Sequence, residues 1–227
     1  MSYAFKGWSY TSLTGFETCP RQYFHQKIAK DIPFTETEAM RFGNQVHKSL
    51  EDYVRDKKPM PPEHSPYAAV GEKFLDMPGT KVVEKEMCVT NEWQPTDYSY
   101  RNPSAWCRGK GDIIVLQGDK MFIGDYKTGK VKDDPSQMQL MTVLGFMHYP
   151  EVQVSVTSFI WLKQQPAQYT MQVYKREDMP SMKAEFERRV EAMALAHESE
   201  NFPPRPSGLC KAHCPVKQCG YYGKGRR

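Results

Sequence analysis

The sequence of 227 residues has no long hydrophobic run and no targeting pattern at its N-terminus. No stretch approaches the ~20 consecutive apolar residues that span a bilayer. The first ten residues, MSYAFKGWSY, lack the charged-then-apolar order of a secretory signal. No internal repeat is evident. These absences predict a cytoplasmic protein that does not act in or on a membrane.

A strong charge of one sign is also absent. The net charge of +4 permits binding to nucleic acid without requiring it. With 39% hydrophobic and 12% aromatic residues, the chain is expected to form one domain, 1–227, with a sizeable core. A local group of basic residues favours phosphate contacts: Arg108, Lys110, Lys127, Lys130 and Lys132, with KGRR at the C-terminus.

Residues 109–130, GKGDIIVLQGDKMFIGDYKTGK, predict a β-hairpin with an aspartate in each strand. A two-residue turn at Gly118-Asp119 has glycine first, as a type II′ turn prefers, and its register pairs Asp112 with Asp125. Opposed strand residues have Cβ atoms roughly 4.5–5.5 Å apart, so two ionised aspartates repel unless a cation lies between them. Because hard oxygen ligands favour Mg²⁺ or Mn²⁺, the hairpin predicts a divalent-metal site.

Lys127 lies two residues beyond Asp125, so strand alternation places both side chains on one face. Two carboxylates and an ammonium group around a divalent ion suit phosphodiester hydrolysis, in which the metal activates water and the lysine offsets developing negative charge. The alternative is a surface hairpin with ordinary exposed ion pairs. Nearly continuous apolar runs at 113–116 and 121–123 indicate covered strands and favour the functional interpretation.

These motifs resemble those of the PD-(D/E)XK nuclease superfamily, in particular its RecB-like branch, which includes the AddB nuclease domain, CRISPR-associated adaptation nucleases and phage exonucleases. In that branch a helical histidine, an aspartate, a D/E-x-K triplet and a helical glutamine recur in order. The matching residues are His47 in RFGNQVHKSLEDYV, Asp112 in GKGD, Asp125-Tyr126-Lys127 in GDYKTGK, and Gln139, with Gln137 as the other choice, in DDPSQMQLMTV. Val143 stands where the branch has a tyrosine.

The resemblance implies an Mg²⁺ or Mn²⁺ site whose ligands are His47, Asp112, Asp125 and the backbone carbonyl of Tyr126. Lys127 then positions the attacking water and stabilises charge, and Gln139 orients Lys127 or contacts the DNA backbone. Glu51, one helical turn beyond His47, is a reserve acid behind these ligands. On helical spacing alone, His47 lies at the edge of an apolar stripe and is more simply a satisfied boundary residue.

The activity implied by the resemblance is a divalent-metal-dependent deoxyribonuclease. Because no separate recognition domain is visible, the chain resembles recombination or DNA-processing exonucleases acting on DNA ends or single strands. Two alternatives stay open: a structure-selective endonuclease, and a non-catalytic nucleic-acid-binding module of the same fold. The resemblance also allows for a phage or mobile element as source, a recombinase or helicase partner, and an oligomer.

Cysteine supplies a second chemical signal. Three of the six cysteines, Cys210, Cys214 and Cys219, lie within ten residues, which is denser than structural cysteine usage in a reducing cytoplasm. They are interpreted as metal ligands, and a fourth is needed because iron–sulfur clusters and closed zinc sites take four. In RecB-like iron–sulfur nucleases an early cysteine completes a four-iron cluster, and Cys19 is similar to that residue.

The tail spacing is C-x3-C-x4-C, whereas those nucleases have C-x2-C-x5-C, and His213 occupies the place of their middle cysteine. A 4Fe-4S cluster and a zinc ion, held by four cysteines or by three with His213, therefore both stay open. Either metal would join residues 1–30 to 200–227 and close a very long loop, so its loss should destabilise the domain. Cys88 and Cys107, in apolar strand-like surroundings, are predicted to be buried thiols.

The order of elements predicts an α+β, or mixed α/β, fold. Helical segments are expected up to Ile28, at about 36–57 and 67–77 on either side of a proline-rich connector at 57–66, from Asp134-Pro135, and at 177–199. Strands are expected at 80–90, in the hairpin, and in VQVSVTSFIWL and QYTMQVYK. A central mixed sheet flanked by helices follows, and the resemblance implies a restriction-endonuclease-like core.

Overall fold

The computed structural model describes residues 7–99, 101–131 and 134–224. Its helices are α1 (Tyr10–Thr18), α2 (Pro20–Tyr23), a π-helical turn (Phe24–Ile28), α3 (Glu38–Asp56), α4 (Ala68–Asp76), α5 (Ser136–His148), α6 (Met179–Glu198) and α7 (Leu209–Ala212), with 3₁₀ helices at Pro62–Tyr67 and Arg176–Asp178. Its strands are β1 (Trp8–Ser9), β2 (Thr80–Val89), β3 (Cys107–Gln117), β4 (Lys120–Lys127), β5 (Val154–Trp161) and β6 (Gln168–Lys175). Within the described ranges, no helix is both long enough and apolar enough to cross a bilayer.

The chain divides into a central unit, residues 36–184, and a terminal unit made of the described residues up to 35 and from 185 onward. The predicted metal site lies wholly in the central unit. Cys19 and the three C-terminal cysteines lie in the terminal unit, as do the segments expected to join the chain ends. Each of the two chemical signals in the sequence therefore belongs to a unit of its own.

The central unit is built on a mixed sheet. Strands β2 and β3, β3 and β4, and β5 and β6 pair in antiparallel fashion, whereas β4 and β5 pair in parallel. The parallel pair requires a crossover, which α5 supplies between β4 and β5. The sheet confirms the predicted mixed α/β architecture with helices against a central sheet.

Helix α3 packs its apolar stripe against one face of this sheet. Val46, Leu50 and Val54 repeat every four residues, and they are buried in one cluster with Ile113 and Tyr126 of the hairpin. Thr37 caps the helix by accepting a hydrogen bond from the Met40 N–H. Because His47 follows Val46 directly, this packing holds its ring at the sheet.

Helix α5 covers the other face and is apolar nearly all round. Its buried residues run from Met138 to Phe146, as suits a crossover helix between two strands of one sheet. Gly145 allows the close approach, because a Cβ atom there would lie 2.7 Å from Met121 Cε and 3.2 Å from Ile123 Cδ1 of β4. The first turn of α5 is thereby fixed beside the carboxyl end of β4.

The hairpin of β3 and β4 has the predicted turn and register. Gly118 has φ of +58°, as the first position of a type II′ turn requires. The paired residues run from Gln117 with Lys120 to Ile113 with Gly124. Continued by one step, this register sets Asp112 opposite Asp125.

A proline-rich connector such as 57–66 is expected to bulge outward from the core, and this expectation is wrong for its second half. Pro62–Tyr67 forms a 3₁₀ helix, and His64 within it is 4% exposed. The His64 Nδ1 atom lies 2.7 Å from Ser49 Oγ on α3, and its ring packs edge-on against Phe42. A histidine that finds both a hydrogen-bond partner and an aromatic neighbour holds this part of the connector against the core.

Arg176 closes the carboxyl end of α5 by donating hydrogen bonds to three backbone carbonyls, those of Phe146 (3.0 Å), Tyr149 (2.8 Å) and Val152 (2.6 Å). Arg176→Ala leaves these acceptors unpaired and should lower the free energy of unfolding by about 2–4 kcal/mol in urea denaturation. Lys175→Ala, at the exposed neighbouring residue, is the matched control and should change it by less than about 0.5 kcal/mol. Equal losses in both variants would contradict this role.

Candidate active site

The two predicted carboxylates lie at the open end of the β3–β4 hairpin. Asp112 Oδ2 accepts a hydrogen bond from the backbone N–H of Tyr126 at 2.7 Å, which ties β3 to the end of β4. Asp125 is 8% exposed, and its Oδ2 atom lies 2.6 Å from Lys127 Nζ. Burial, reinforced by the neighbouring charge of Asp112, raises the pKa of Asp125 to about 6. The structure thus places both acids and the lysine in one partly buried group.

His47 reaches the same group from α3. Its Nε2 atom lies 2.8 Å from the Tyr126 carbonyl oxygen, and its Nδ1 atom lies 3.4 Å from Asp112 Oδ2. Burial opposes protonation, but the hydrogen bond and the negative charge of Asp112 outweigh it and raise the pKa of His47. The imidazole and the Tyr126 carbonyl, both named from the sequence, therefore converge on the acid pair.

Glu84 is a third acid at this place, and sequence reasoning missed it. Glu84, His47 and Asp112 each offer a ligand atom within 4.8 Å of the others. The pairs Val83 with Ile113 and Lys85 with Gly111 leave Glu84 opposite Asp112. The only signal in the sequence was its position inside the strand expected at 80–90.

Glu84 also has a left-handed backbone, with φ of +54° in the middle of β2. Non-glycine residues adopt this conformation rarely, and where they do the strain often accompanies a functional site. Lys110 forms an ion pair with the Glu84 carboxylate. This contact places Lys110, one of the basic residues noted in the sequence, beside the acids.

The glutamine at the site is Gln137, the alternative position, and the preference for Gln139 is corrected. Gln137 Nε2 donates to Asp125 Oδ1 at 2.6 Å, and Gln137 Oε1 accepts from Lys127 Nζ at 3.1 Å. Gln139 instead lies beside Tyr174, away from these two residues. The two positions differ by about 200° around the helix axis, so only one can face the end of β4. The motif has a tyrosine four residues after the glutamine. Met141 occupies that position relative to Gln137, so the tyrosine is absent for either choice of glutamine.

Two further residues named from the sequence lie as follows. Glu51 forms ion pairs with Lys48 (Nζ to Oε2, 3.4 Å) and with Arg55 on its own helix, so its place as a reserve acid behind the ligands stays a prediction. Arg108 is 8% exposed and donates to the backbone carbonyls of Tyr98 and Ser99, which is a structural role. Lys132 and the last three residues lie outside the part of the chain that the structure describes.

The donor atoms fit a hard divalent cation. The carboxylates of Glu84 and Asp112 and the His47 imidazole lie close enough to share one ion. The Tyr126 carbonyl and the Asp125 carboxylate lie next to this group and make it an oxygen-rich set of the kind that Mg²⁺ and Mn²⁺ take. The pKa of Asp125 is raised first by burial and then by the negative charge of Asp112, so the two carboxylates repel each other in a partly buried place. A bound dication would relieve that repulsion.

The four candidate ligand cysteines come together in the terminal unit. Cys19, Cys210, Cys214 and Cys219 line one small cavity. Backbone N–H groups of Arg205 and Ser207 donate to the sulfurs of Cys19 and Cys210, each at 3.5 Å. Burial raises the pKa of the Cys214 thiol, and the other three thiols add to this effect.

The alternative ligand His213 and the other two cysteines are not part of this cavity. His213 is exposed and is not among the residues that line this cavity. Cys88 and Cys107 are both fully buried, which confirms the prediction of buried thiols. Burial raises the pKa of each of these two thiols.

Comparison with known proteins defines the class of this fold and site. The model of the PD-(D/E)XK nuclease superfamily matches residues 7–219, so the chain belongs to that superfamily, whose members use divalent metals. No curated protein sequence matches the chain. Similar solved structures include SSO0001 (14% identity, TM-score 0.51, 96% of this chain and 87% of that chain) and a candidate exonuclease from Eubacterium rectale (12% identity, TM-score 0.56, 94% and 89%). At these identities the likeness shows the fold.

Asp125→Asn should stabilise the metal-free protein, because it removes the buried charge that raises the Asp125 pKa. Above pH 6 the gain in unfolding free energy should be about 3 kcal/mol. It should shrink as the pH falls from about 6 towards 4, because the wild-type carboxyl then binds a proton in the folded state and no longer carries the penalty. Urea denaturation with chelator present measures both values.

Mn²⁺ supplies the complementary measurement. Mn²⁺ should raise the thermal midpoint of the wild type, because a ligand that binds only the folded state stabilises that state. It should leave the midpoint of Asp125→Asn nearly unchanged, because this variant lacks one ligand. A variant that is less stable without metal at pH 7.5, or equally stabilised by Mn²⁺, would show that Asp125 is not a strained ligand.

Proposed function

We propose that the protein is a divalent-metal-dependent DNA nuclease of the cytoplasm, with exonuclease activity on DNA ends or single strands. The observation that carries this proposal is the group formed by Asp112, Asp125 and Lys127 in a chain of the PD-(D/E)XK superfamily. The Lys127 ammonium lies 2.6 Å from the Asp125 carboxylate at the end of β4. Two residues of the Asp-x-Lys triplet, Asp125 and Lys127, are therefore in contact in the structure as well as close in the sequence.

Asp112, Asp125 and the Tyr126 carbonyl would hold Mg²⁺ or Mn²⁺, with Glu84 and His47 beside them. When bound, the metal supplies Lewis acidity towards the phosphate and lowers the pKa of a coordinated water. Asp112 also accepts the Tyr126 N–H, which fixes the orientation of the neighbouring carbonyl. The protein thus orients its donors before a substrate arrives.

Lys127 is the residue that meets the reacting phosphate. Gln137 donates to Asp125 and accepts from Lys127, so one amide fixes the distance between the acid and the lysine. The ammonium also lies 5.2 Å from the centre of the Phe159 ring, a cation–π contact that helps to hold it in place. With 30% of its side chain exposed, Lys127 is open to a phosphate oxygen and to the attacking water, and its positive charge stabilises the negative charge that develops.

The choice of exonuclease draws on the fold likeness to the Eubacterium rectale protein, described as a candidate exonuclease. A non-catalytic binding module of the same fold is the competing function. Such a module has no need of Lys127 held against Asp125 or of a third acid beside Asp112. The acids and the lysine therefore favour an enzyme.

Purified protein with Mg²⁺ or Mn²⁺ should degrade end-labelled linear DNA, and chelator should stop the reaction. Asp112→Asn and Lys127→Met should each lower the rate by about 10³-fold, because each removes charge needed at the developing phosphorane. The matched pair Gln137→Ala and Gln139→Ala separates the two helical positions: the first should lower the rate about tenfold or more, and the second should leave it unchanged.

The form of the DNA decides between the alternatives. Linear single- and double-stranded molecules should be degraded, whereas closed circles should survive. Cutting of circles would favour a structure-selective endonuclease. Metal-independent binding without any cleavage would favour the binding module, and full activity of both Asp112→Asn and Lys127→Met would refute the site.

For the terminal unit we propose a 4Fe-4S cluster held by Cys19, Cys210, Cys214 and Cys219. Sulfurs around one zinc ion lie roughly 3.8 Å apart, given a Zn–S distance of about 2.3 Å. Among the described residues, no three of these thiols bring their sulfur atoms within 4.8 Å of one another. Thiols that line one cavity at wider separation suit a larger cluster, and the N–H groups aimed at two sulfurs suit thiolate ligands.

Anaerobically purified protein should be brown and should contain about four irons per chain. Cys19→Ser should lose the iron and lower the thermal midpoint, because the ligand set spans both chain ends. Cys88→Ser, at a buried cysteine outside the cavity, should keep the iron. A colourless protein with one zinc per chain would show that the site holds zinc and not a cluster. Full iron content in Cys19→Ser would exclude Cys19 as a ligand.

A further inference from the structure

Positive charge is concentrated in the terminal unit. Residues 18–30 and 201–227 carry nine Lys or Arg residues and no Asp or Glu, although the whole chain has a net charge of only +4. The rest of the sequence is therefore net negative. Seven of the nine cations lie in the described part of the chain, and all but Arg21 among them are exposed: Arg21, Lys27, Lys30, Arg205, Lys211, Lys217 and Lys224.

Contacts within the terminal unit bring the two basic stretches together. Arg205 donates its backbone N–H to Cys19 Sγ and its guanidinium to the Glu17 carbonyl. Gln218 Nε2 lies 3.2 Å from His25 Nδ1. The stretches that are about 180 positions apart in the sequence therefore form one basic region.

The two acids that flank the first stretch are already engaged. The Glu17 carboxylate receives two hydrogen bonds from Arg189, each of 2.7 Å. Asp31 lies 2.9 Å from the His25 ring. These two carboxylates thus have partners of their own beside the cations of residues 18–30.

Two aromatic side chains stand in the same region. Tyr221 and Tyr222 are 44% and 43% exposed, and both line the cavity of the four cysteines together with Arg21 and Arg205. Their turn is fixed by backbone hydrogen bonds of 2.9 Å from Tyr222 to Cys219 and from Gly223 to Cys210. Large exposed aromatic rings on a fixed turn, with cations around them, are what single-stranded nucleic acid binds.

We propose that Tyr221 and Tyr222, with the cations around them, form a binding surface for single-stranded DNA; this inference rests on the proposed nuclease function. The rings stack on unpaired bases, and the Lys and Arg side chains contact the phosphates between those bases. Duplex DNA keeps its base faces covered, so it would use the cations and not the rings. An acidic peptide would likewise use only the charge.

The test is fluorescence anisotropy of a labelled 15-mer with the full-length protein in chelator, where no cleavage occurs. Tyr221→Ala and Tyr222→Ala should each weaken binding about tenfold, because a base–aromatic stack is lost. The Phe variants at both positions should bind like the wild type, whereas Tyr→Leu variants, which keep an apolar side chain, should be as weak as alanine. Equal thermal midpoints and equal metal contents control for folding.

Salt dependence separates the two kinds of contact. The tyrosine variants should keep the wild-type slope of log affinity against log salt, whereas Lys211→Gln and Lys217→Gln should each reduce it by about 0.7. Wild-type affinity in both alanine variants would overturn the inference. So would equal effects on duplex binding, or full competition by polyglutamate of the same charge.

The outcome for this surface is distinct from the outcome for the active site. If the protein binds DNA through the tyrosines but never cleaves it, the binding-surface proposal stands and the nuclease proposal is refuted. If it cleaves DNA with metal and the alanine variants bind as well as the wild type, the nuclease proposal stands and the binding-surface proposal is refuted.

Discussion

The facing carboxylates of Asp112 and Asp125 are the constraint on which the rest of this structure depends. Two acids at the end of a buried hairpin repel each other, and burial raises the pKa of Asp125 to about 6. The protein offsets part of this cost with Lys127, with the amide of Gln137 and with the Tyr126 N–H. What is left is the free energy that a divalent cation can recover, so instability at the site and affinity for metal have the same origin.

The part of the site that lies within the hairpin could be predicted from the sequence, because local rules determine it. A glycine-first turn fixes the register, and strand alternation then decides which side chains share a face. Gly118 has the expected positive φ, and the ladder runs from Gln117 with Lys120 towards Asp112. Spacing on α3 likewise placed His47 next to the buried stripe, although contact with Tyr126 depends on how that helix packs.

The residues that sequence reasoning missed depend on contacts between distant segments. Glu84 reaches Asp112 because β2 pairs with β3 and because the Glu84 backbone is left-handed. The sequence around Glu84 predicts neither feature. The choice between Gln137 and Gln139 depends on the rotation of α5, which the packing of Gly145 against β4 decides. The burial of His64 also depends on a contact with another segment. A proline-rich connector is predicted to be solvent-exposed, and the contact of His64 with Ser49 cannot be inferred from local sequence.

The pairing of Asp112 and Asp125 as metal ligands is tested most directly by locating Mn²⁺ in crystals of the protein through its anomalous scattering. A peak should lie about 2.1 Å from carboxylate oxygens of Asp112 and Asp125 and from the Tyr126 carbonyl oxygen. Lys127 should keep its place beside Asp125. Strong Mn²⁺ peaks only at other positions, or the two aspartates turned away from each other, would contradict this pairing.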